Sequence, residues 1–152
     1  MLALAPGRLG EYLGTTGTRM SAADAIYAGF ADHFIDEADW PALIAALEDG
    51  ASVDIIGAAA ADSGASAVQA EQAEIDRHFA GDTLTDILNS LRHETSPFTE
   101  KTLKTLDRNS PLSMACTIEA IHRLRGRNDP PTGFVCVNEA TTLGLLAGLR
   151  DL

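Results

Sequence analysis

The sequence has few aromatic residues, few basic residues and no long hydrophobic run. Aromatic side chains make up 5% of the 152 residues, so the core must be built mainly from alanine, leucine and isoleucine. The 11 basic residues face 22 acidic ones, and the resulting net charge of −11 argues against nucleic acid or an anionic membrane surface as the main partner. No run of about 18 apolar residues occurs, so no transmembrane helix is predicted.

Cysteines and the signatures of common catalytic sites are also scarce. The two cysteines, Cys116 and Cys136, lack metal-ligand spacing and have no neighbouring histidines. We interpret them as free thiols in a reducing, cytoplasmic environment. Walker loops, Rossmann fingerprints and Gly-x-Ser-x-Gly elbows are absent. The four histidines show no His-x-x-x-His spacing, so we predict no metal site and no cofactor.

The sequence does contain many signals for the start of a helix. Four segments begin with a hydroxyl residue in an N-cap position, followed either by aspartate three residues later or by proline at the first helical position. They are Ser21 with Asp24, Thr83 with Asp86, Ser96-Pro97 and Ser110-Pro111. Apolar residues recur at helical spacing, as in the stripe of Trp40, Leu43, Ile44 and Leu47. The chain is therefore predicted to be mainly α, with six or seven helices and only a weakly extended piece at 31–35.

Composition divides the chain into four regions. Region 1–50 holds compact helices, and the Ala/Gly/Ser-rich region 51–70 is predicted to be a mobile connection or a surface insertion. Region 71–126 holds further helices, and 127–152 is a divergent tail. In the tail, Phe134–Val137 is compatible with a short strand and Thr141–Leu149 with a final helix.

The block from Leu9 to Ile35 resembles one stretch of the crotonase (enoyl-CoA hydratase/isomerase) superfamily. The resemblance rests on GEYLGTTGTRM at 10–20, ADA at 23–25 and GFADHFI at 29–35. The order Y-L, T-G-x-R, A-D-A and A-x-H-F is most similar to the 3-hydroxyisobutyryl-CoA hydrolase branch. Further on, IDRHF at 75–79 and NSPLS at 109–113 resemble segments of the same branch. The similarity covers approximately residues 2–126.

This resemblance implies a fold and a reaction. Crotonase-type proteins hold an acyl-CoA thioester against a β-spiral core, where two backbone N–H groups form an oxyanion hole that stabilises charge on the thioester oxygen. In the hydrolase branch, carboxylates then assist cleavage of the thioester. The family segments that carry these groups, and the β-spiral, have no counterpart here. We therefore expect the helical C-terminal portion of a crotonase-like fold, truncated at both ends and without catalytic residues of its own.

The sequence also departs from the branch at two places. Where the branch often has lysine in S-P-x-S-L-K, a position tied to the CoA side of the site, this chain has Met114-Ala115-Cys116. After Gly126 the expected family ending is missing, and 138–142 is at most a remnant of it. Both departures weaken the inference of an intact CoA site.

A small set of residues remains as candidates for the site. Phe98, Lys101 and Lys104 are predicted to bind substrate, because Lys101, Lys104 and Arg108 line one side of a helix where clustered cations would meet the phosphates of CoA. The alternative is a solvated polar face. We interpret Glu11 as a solvated or capping residue rather than a base, and His33 as a packing or backbone-bonded histidine rather than a general acid or base.

The predicted function is hydrolysis of an acyl-CoA thioester, as in 3-hydroxyisobutyryl-CoA hydrolase of valine breakdown, with CoA entering only as part of the substrate. Enoyl-CoA hydration or isomerisation and a non-catalytic helical assembly module remain alternatives. Apolar stripes that pack on the β-spiral in the full fold would be exposed in this chain. We therefore expect self-association or a partner chain.

Overall fold

The computed structural model describes residues 1–125, whose regular secondary structure is helical. The α-helices are α1 (Leu9–Thr16), α2 (Ala22–Tyr27), α3 (Trp40–Glu48), α4 (Asp54–Ala58), α5 (Ala67–Ala70), α6 (Gln72–His78), α7 (Leu84–His93), α8 (Pro97–Leu106) and α9 (Pro111–Leu124). Short 3-10 turns occupy Leu2–Leu4 and Glu37–Asp39. The predicted strand at 134–137 and helix at 141–149 lie outside the described residues.

The helical fold class is confirmed. Between residues 1 and 125 the backbone forms no strand, and its one isolated β-bridge pairs Phe34 with Ala61. Of the weakly extended piece predicted at 31–35, only Phe34 therefore forms a β-bridge. This secondary structure matches the helical part of a crotonase-like fold without its β-spiral.

The predicted helix starts are also confirmed, because each N-cap hydroxyl accepts a hydrogen bond from the backbone three residues later. Ser21, Thr83 and Ser96 each form a reciprocal capping box. The Ser110 hydroxyl accepts from the Ser113 amide, and Pro111 occupies the first turn of α9. Such caps satisfy amides that would otherwise lack a partner.

The structure divides into two compact units, the first of which joins Met1–Arg19 to the chain from Ala70 onward. In this unit α1 contacts α6, α8 and α9. The fully buried Tyr12 meets Phe79 edge-on, with ring centroids 5.4 Å apart, and stacks on Phe98 at 5.9 Å. These aromatic contacts place the 10–20 motif at the centre of a helical core.

Gly10 allows α1 to approach the N-terminal turn closely. A Cβ atom at this position would overlap the backbone carbonyl oxygen of Leu2. Since backbone atoms cannot rotate away as a side chain can, any larger residue would force the two segments apart. The packing of α1 against the N-terminal turn therefore requires glycine at position 10.

The second unit comprises Met20–Gln69 and is organised around a buried aspartate. Asp24 closes the capping box with Ser21, and its other oxygen accepts hydrogen bonds from the Ser66 hydroxyl (2.7 Å) and the Val68 amide (3.1 Å). This carboxylate ties the start of α2 to residues more than 40 positions away. The segment 51–70, which we predict to be a connection, contains α4, and its Ala61 pairs with Phe34.

Helix α3 buries none of its residues within the described part of the chain. Trp40 is 51% exposed and Ile44 52% exposed, although both belong to the apolar stripe recognised in the sequence. The two structural units also have different boundaries from the four predicted regions, because α1 packs on helices that follow residue 70.

Candidate functional site

The basic face of α8 forms a surface groove of about 450 Å³. The residues that line it are Pro97, Glu100, Lys101, Lys104, Thr105 and Arg108. They come from one helix and the residues just after it, because positions three, four and seven apart share one side of a helix. The structure thus brings together the three basic residues predicted to face an anion.

The charges in this groove are largely available for a ligand. The Lys101 ammonium group lies 3.5 Å from the carboxylate of Glu71, and both side chains are partly exposed. Neither Lys104 nor Arg108 has an ion-pair partner within residues 1–125. Three cations therefore face one carboxylate, Glu100, within the groove, and an exposed arrangement of this kind attracts phosphate groups in a salt-dependent way.

Phe98 lies away from these cations. Its side chain is 8% exposed and stacks between Tyr12 and His78, at ring-centroid distances of 5.9 Å and 6.1 Å. Phe98 is therefore part of the aromatic core beneath the helix, while Lys101 and Lys104 are exposed on its outer side. A substrate-binding role of Phe98, Lys101 and Lys104 stays a prediction. The structure places Phe98 in the core and the two lysines on the surface.

Glu11 is held by several charged side chains within the described residues. Its side chain is fully buried and makes a two-point ion pair with Arg125, with Nη1–Oε1 and Nη2–Oε2 distances of 2.6 Å and 2.9 Å. Arg8 donates a further hydrogen bond at 3.0 Å, and His122 Nε2 lies 3.4 Å from the same oxygen. The interpretation of Glu11 as a solvated or capping residue is wrong, since the arginines that bury it come from both ends of the described chain.

These contacts lower the pKa of Glu11. Burial by itself would raise the pKa, but the hydrogen bonds from Arg125 and Arg8 outweigh it and bring the pKa below its ordinary value of 4.5. A carboxylate that is held ionised and saturated with donors is a poor proton acceptor. Glu11 is therefore a structural anchor, and the sequence signal for it was its position three residues after Arg8, which directly precedes the motif block.

The histidines follow a different pattern from the one expected. His33 is exposed, so the packing part of its interpretation as a packing or backbone-bonded histidine is wrong. His78, in contrast, is 2% exposed and faces two carboxylates, those of Glu74 and Glu94. A search for paired histidines missed this group, although Glu74 and His78 have the i, i+4 spacing that places two ligands on one helix face.

Comparison with known proteins decides the family. The family model described as enoyl-CoA hydratase/isomerase matches residues 1–134. The chain belongs to the enoyl-CoA hydratase/isomerase family. The resemblance found in the 9–35 block is thereby confirmed at the level of the superfamily.

Individual proteins are similar to most of this chain. The mitochondrial 3-hydroxyisobutyryl-CoA hydrolase of Rattus norvegicus is 28% identical over 126 residues, which cover 76% of this chain and 33% of that protein. The small ribosomal subunit protein mS47 of Arabidopsis thaliana is 30% identical over 132 residues, covering 79% of this chain and 32% of that protein.

Among solved structures, an enoyl-CoA hydratase from Rhodobacter sphaeroides 2.4.1 superimposes with a TM-score of 0.73 and 46% identity, over 87% of this chain and 36% of that one. The chain thus spans about a third of the length of the relatives it matches. Within the described residues, no helix is long and apolar enough to cross a membrane.

Proposed function

We propose that this chain is the helical, CoA-contacting part of an acyl-CoA thioester hydrolase similar to 3-hydroxyisobutyryl-CoA hydrolase. The observation that carries the proposal is the groove on α8, where Lys101, Lys104 and Arg108 face solvent together. CoA carries a diphosphate and a 3′-phosphate, so a row of cations on a helix gains several ionic contacts with it at once. The acyl-CoA enters as substrate, and no separate cofactor is proposed.

The thioester chemistry is proposed for a longer protein, because the match to this chain covers only 33% of the rat relative. The best-placed carboxylate near the family motif, Glu11, is already paired with Arg125 and Arg8. Hence we propose that the chain alone does not hydrolyse thioesters. Its cytoplasmic location and a role in valine breakdown remain part of the proposal, while the rat relative is named mitochondrial.

A binding experiment tests the role of the groove. Thermal unfolding of the chain with CoA should show a rise in Tm that the double variant Lys104→Glu/Arg108→Glu loses. The matched control is Arg92→Glu, an exposed basic residue on α7 outside the groove. The rise in Tm should also shrink as salt concentration increases, because exposed ionic contacts are screened. An equal rise in Tm for the double variant and wild type would contradict the proposal.

A chimera tests whether this chain supports an acyl-CoA site. This chain replaces the matching third of the Rhodobacter sphaeroides protein, to which it is 46% identical. Because the catalytic residues then come from that protein, we expect the chimera to keep the activity of that protein and to lose it when Lys104→Glu/Arg108→Glu is introduced. An active chimera that the double variant leaves unchanged would contradict the role of the groove. The second candidate reaction, that of an enoyl-CoA hydratase or isomerase, is supported by the printed name of the same structure.

A non-catalytic assembly module is the candidate from a different class. It is favoured by the 30% identity to a ribosomal subunit protein and by the exposed apolar stripe of α3. Such a module would bind another chain without binding CoA. Failure of CoA to raise Tm, together with formation of a stable complex larger than 16.0 kDa, would support it over the enzyme.

A further inference from the structure

We propose that Glu74, His78 and Glu94 form a binding site for a divalent transition-metal ion, with Zn²⁺ as the best fit. The site lies where the C-terminal end of α6 meets the residue that caps α7. One ligand atom from each of the three residues lies within 4.8 Å of the others. The site does not depend on CoA binding and lies apart from the groove on α8.

The first reason is an unsatisfied nitrogen atom. His78 is 2% exposed, and its Nε2 atom has no hydrogen-bond partner within the described residues. A buried polar atom without a partner costs free energy, and such atoms are uncommon in folded proteins. Two carboxylate oxygens lie near this nitrogen, Oε2 of Glu74 at 3.5 Å and Oε2 of Glu94 at 3.9 Å.

The second reason is the spacing of the donors. Zinc binds nitrogen and carboxylate oxygen at about 2.0–2.2 Å, so neighbouring ligand atoms of a tetrahedral site lie about 3.3–3.6 Å apart. The distances of 3.5 Å and 3.9 Å from Nε2 to the two oxygens are close to these values. Small rotations of two partly exposed glutamates would therefore close the site, with a water molecule as the fourth ligand.

The third reason is the orientation of the imidazole. His78 Nδ1 lies 3.0 Å from the hydroxyl oxygen of Ser90. When Nδ1–H donates to this oxygen, the lone pair of Nε2 faces the carboxylates, and this is the tautomer that a metal-binding histidine requires. Ser90 is thus a positioning residue for the site.

Arg77 pairs with the same two carboxylates. Its guanidinium group donates to Oε2 of Glu74 at 2.5 Å and lies 2.9 Å from Oε2 of Glu94, the same two oxygens that face His78. The Arg77 side chain is 49% exposed, so it can turn to solvent when a metal ion takes its place. Arginine and metal would therefore compete for the same ligand atoms, and this competition makes the proposal testable.

The experiment measures Zn²⁺ binding to the full-length chain by isothermal titration calorimetry, with Mg²⁺ as a hard-cation control. Wild type should bind one Zn²⁺ at this site, and Glu94→Gln and Glu74→Gln should each weaken that binding at least about tenfold, since even indirect partners of a metal are worth about 10–100-fold. The matched control is Glu119→Gln, which removes an exposed carboxylate that also pairs with an arginine on its own helix.

Arg77→Gln provides the decisive comparison, because it removes a cation without removing a ligand. It should tighten Zn²⁺ binding about tenfold, as expected for relief of repulsion between a guanidinium and a divalent ion a few ångströms apart. Zn²⁺ at 100 times its Kd should also raise Tm by roughly 5–10 °C. Equal Zn²⁺ affinity in wild type, Glu94→Gln and Glu119→Gln, or unchanged affinity in Arg77→Gln, would overturn the proposal.

Discussion

Replacing Glu11 by glutamine tests whether the buried ion cluster holds the first unit together. The substitution keeps the volume of the side chain but removes its charge. Arg125 loses a two-point ionic contact, and Arg8 loses a charge-assisted hydrogen bond. Because Arg125 lies at the end of α9 and Glu11 in α1, the contact closes the unit across 114 residues of sequence.

The expected cost can be worked out from the exposure of the partners. Removing one member of a fully buried ion pair destabilises a protein by about 3–5 kcal/mol, because the remaining charge stays buried without compensation. Here the side chains of Arg8 and Arg125 are 30% and 31% exposed, so water can solvate part of each guanidinium after the change. We therefore expect Glu11→Gln to lower the free energy of unfolding by about 2–3 kcal/mol at pH 7.

The same contacts predict a dependence on pH. Since the pKa of Glu11 is lowered below 4.5 in the folded chain, its contribution is fully present above the unfolded-state pKa and is lost as pH falls through the folded-state pKa. Glutamine does not titrate. The difference in unfolding free energy between wild type and variant should therefore persist down to about pH 5 and shrink below pH 4.5.

The assay is urea unfolding followed by circular dichroism, at one protein concentration because the chain is expected to associate. Glu119→Gln serves as control, since it breaks an exposed i, i+4 pair with Arg123 and should cost no more than about 0.5 kcal/mol. If both variants lose the same stability at pH 7, or if the difference for Glu11→Gln does not change with pH, the reasoning about the buried cluster is refuted.

Three further predictions concern packing, capping and the exposed stripe. Gly10→Ala should destabilise the chain by about 1–3 kcal/mol, because its Cβ would overlap a backbone carbonyl oxygen. Gly57→Ala, whose Cβ would have its nearest neighbour at 3.8 Å, should be neutral or slightly stabilising in the same urea titration. Asp24→Ala should cost about 2 kcal/mol at pH 7. Burial raises the pKa of Asp24, but its hydrogen bonds outweigh this and lower it from 3.8 to about 2. The cost should accordingly vanish as pH falls through that range, and persistence at pH 2 would contradict the assignment. Trp40→Ser with Ile44→Ser should reduce the mass seen by light scattering, because it removes two half-exposed apolar side chains; a wild type that is already a 16.0 kDa monomer would contradict the expected self-association.

The elements that the sequence predicted well are those whose signals are local. Each N-cap hydroxyl bonds to an amide three residues away, so Ser21 and Thr83 could be recognised without knowing the fold. The spacing of Lys101 and Lys104 likewise places them on one side of α8 whatever the helix packs against. The aromatic core was harder to predict, because the placement of Phe98 depends on its ring contacts with Tyr12 and His78, which lie far away in sequence.

The wrong interpretations of Glu11 and His33 have one cause in common. Whether an ionisable side chain is buried or exposed depends on elements brought together by tertiary structure, and the same is true of the placement of His78 near two carboxylates. Nothing near Glu11 in sequence indicates that Arg125 will cover it, and nothing near His78 indicates that Glu94 will face it. A local pattern can locate a charge on a helix face, but it cannot determine whether another helix buries that face.

By itself, the sequence determined the family, the helical class and the start of four helices, because motif order and capping depend on residues within a few positions of one another. Only the tertiary structure decided what the ionisable residues do. It buried Glu11 beneath two arginines, exposed His33 and placed His78 between two carboxylates. The physical reason is that protonation, pairing and metal affinity depend on burial and on the charges within a few ångströms of a group, and the packing of distant helices sets both.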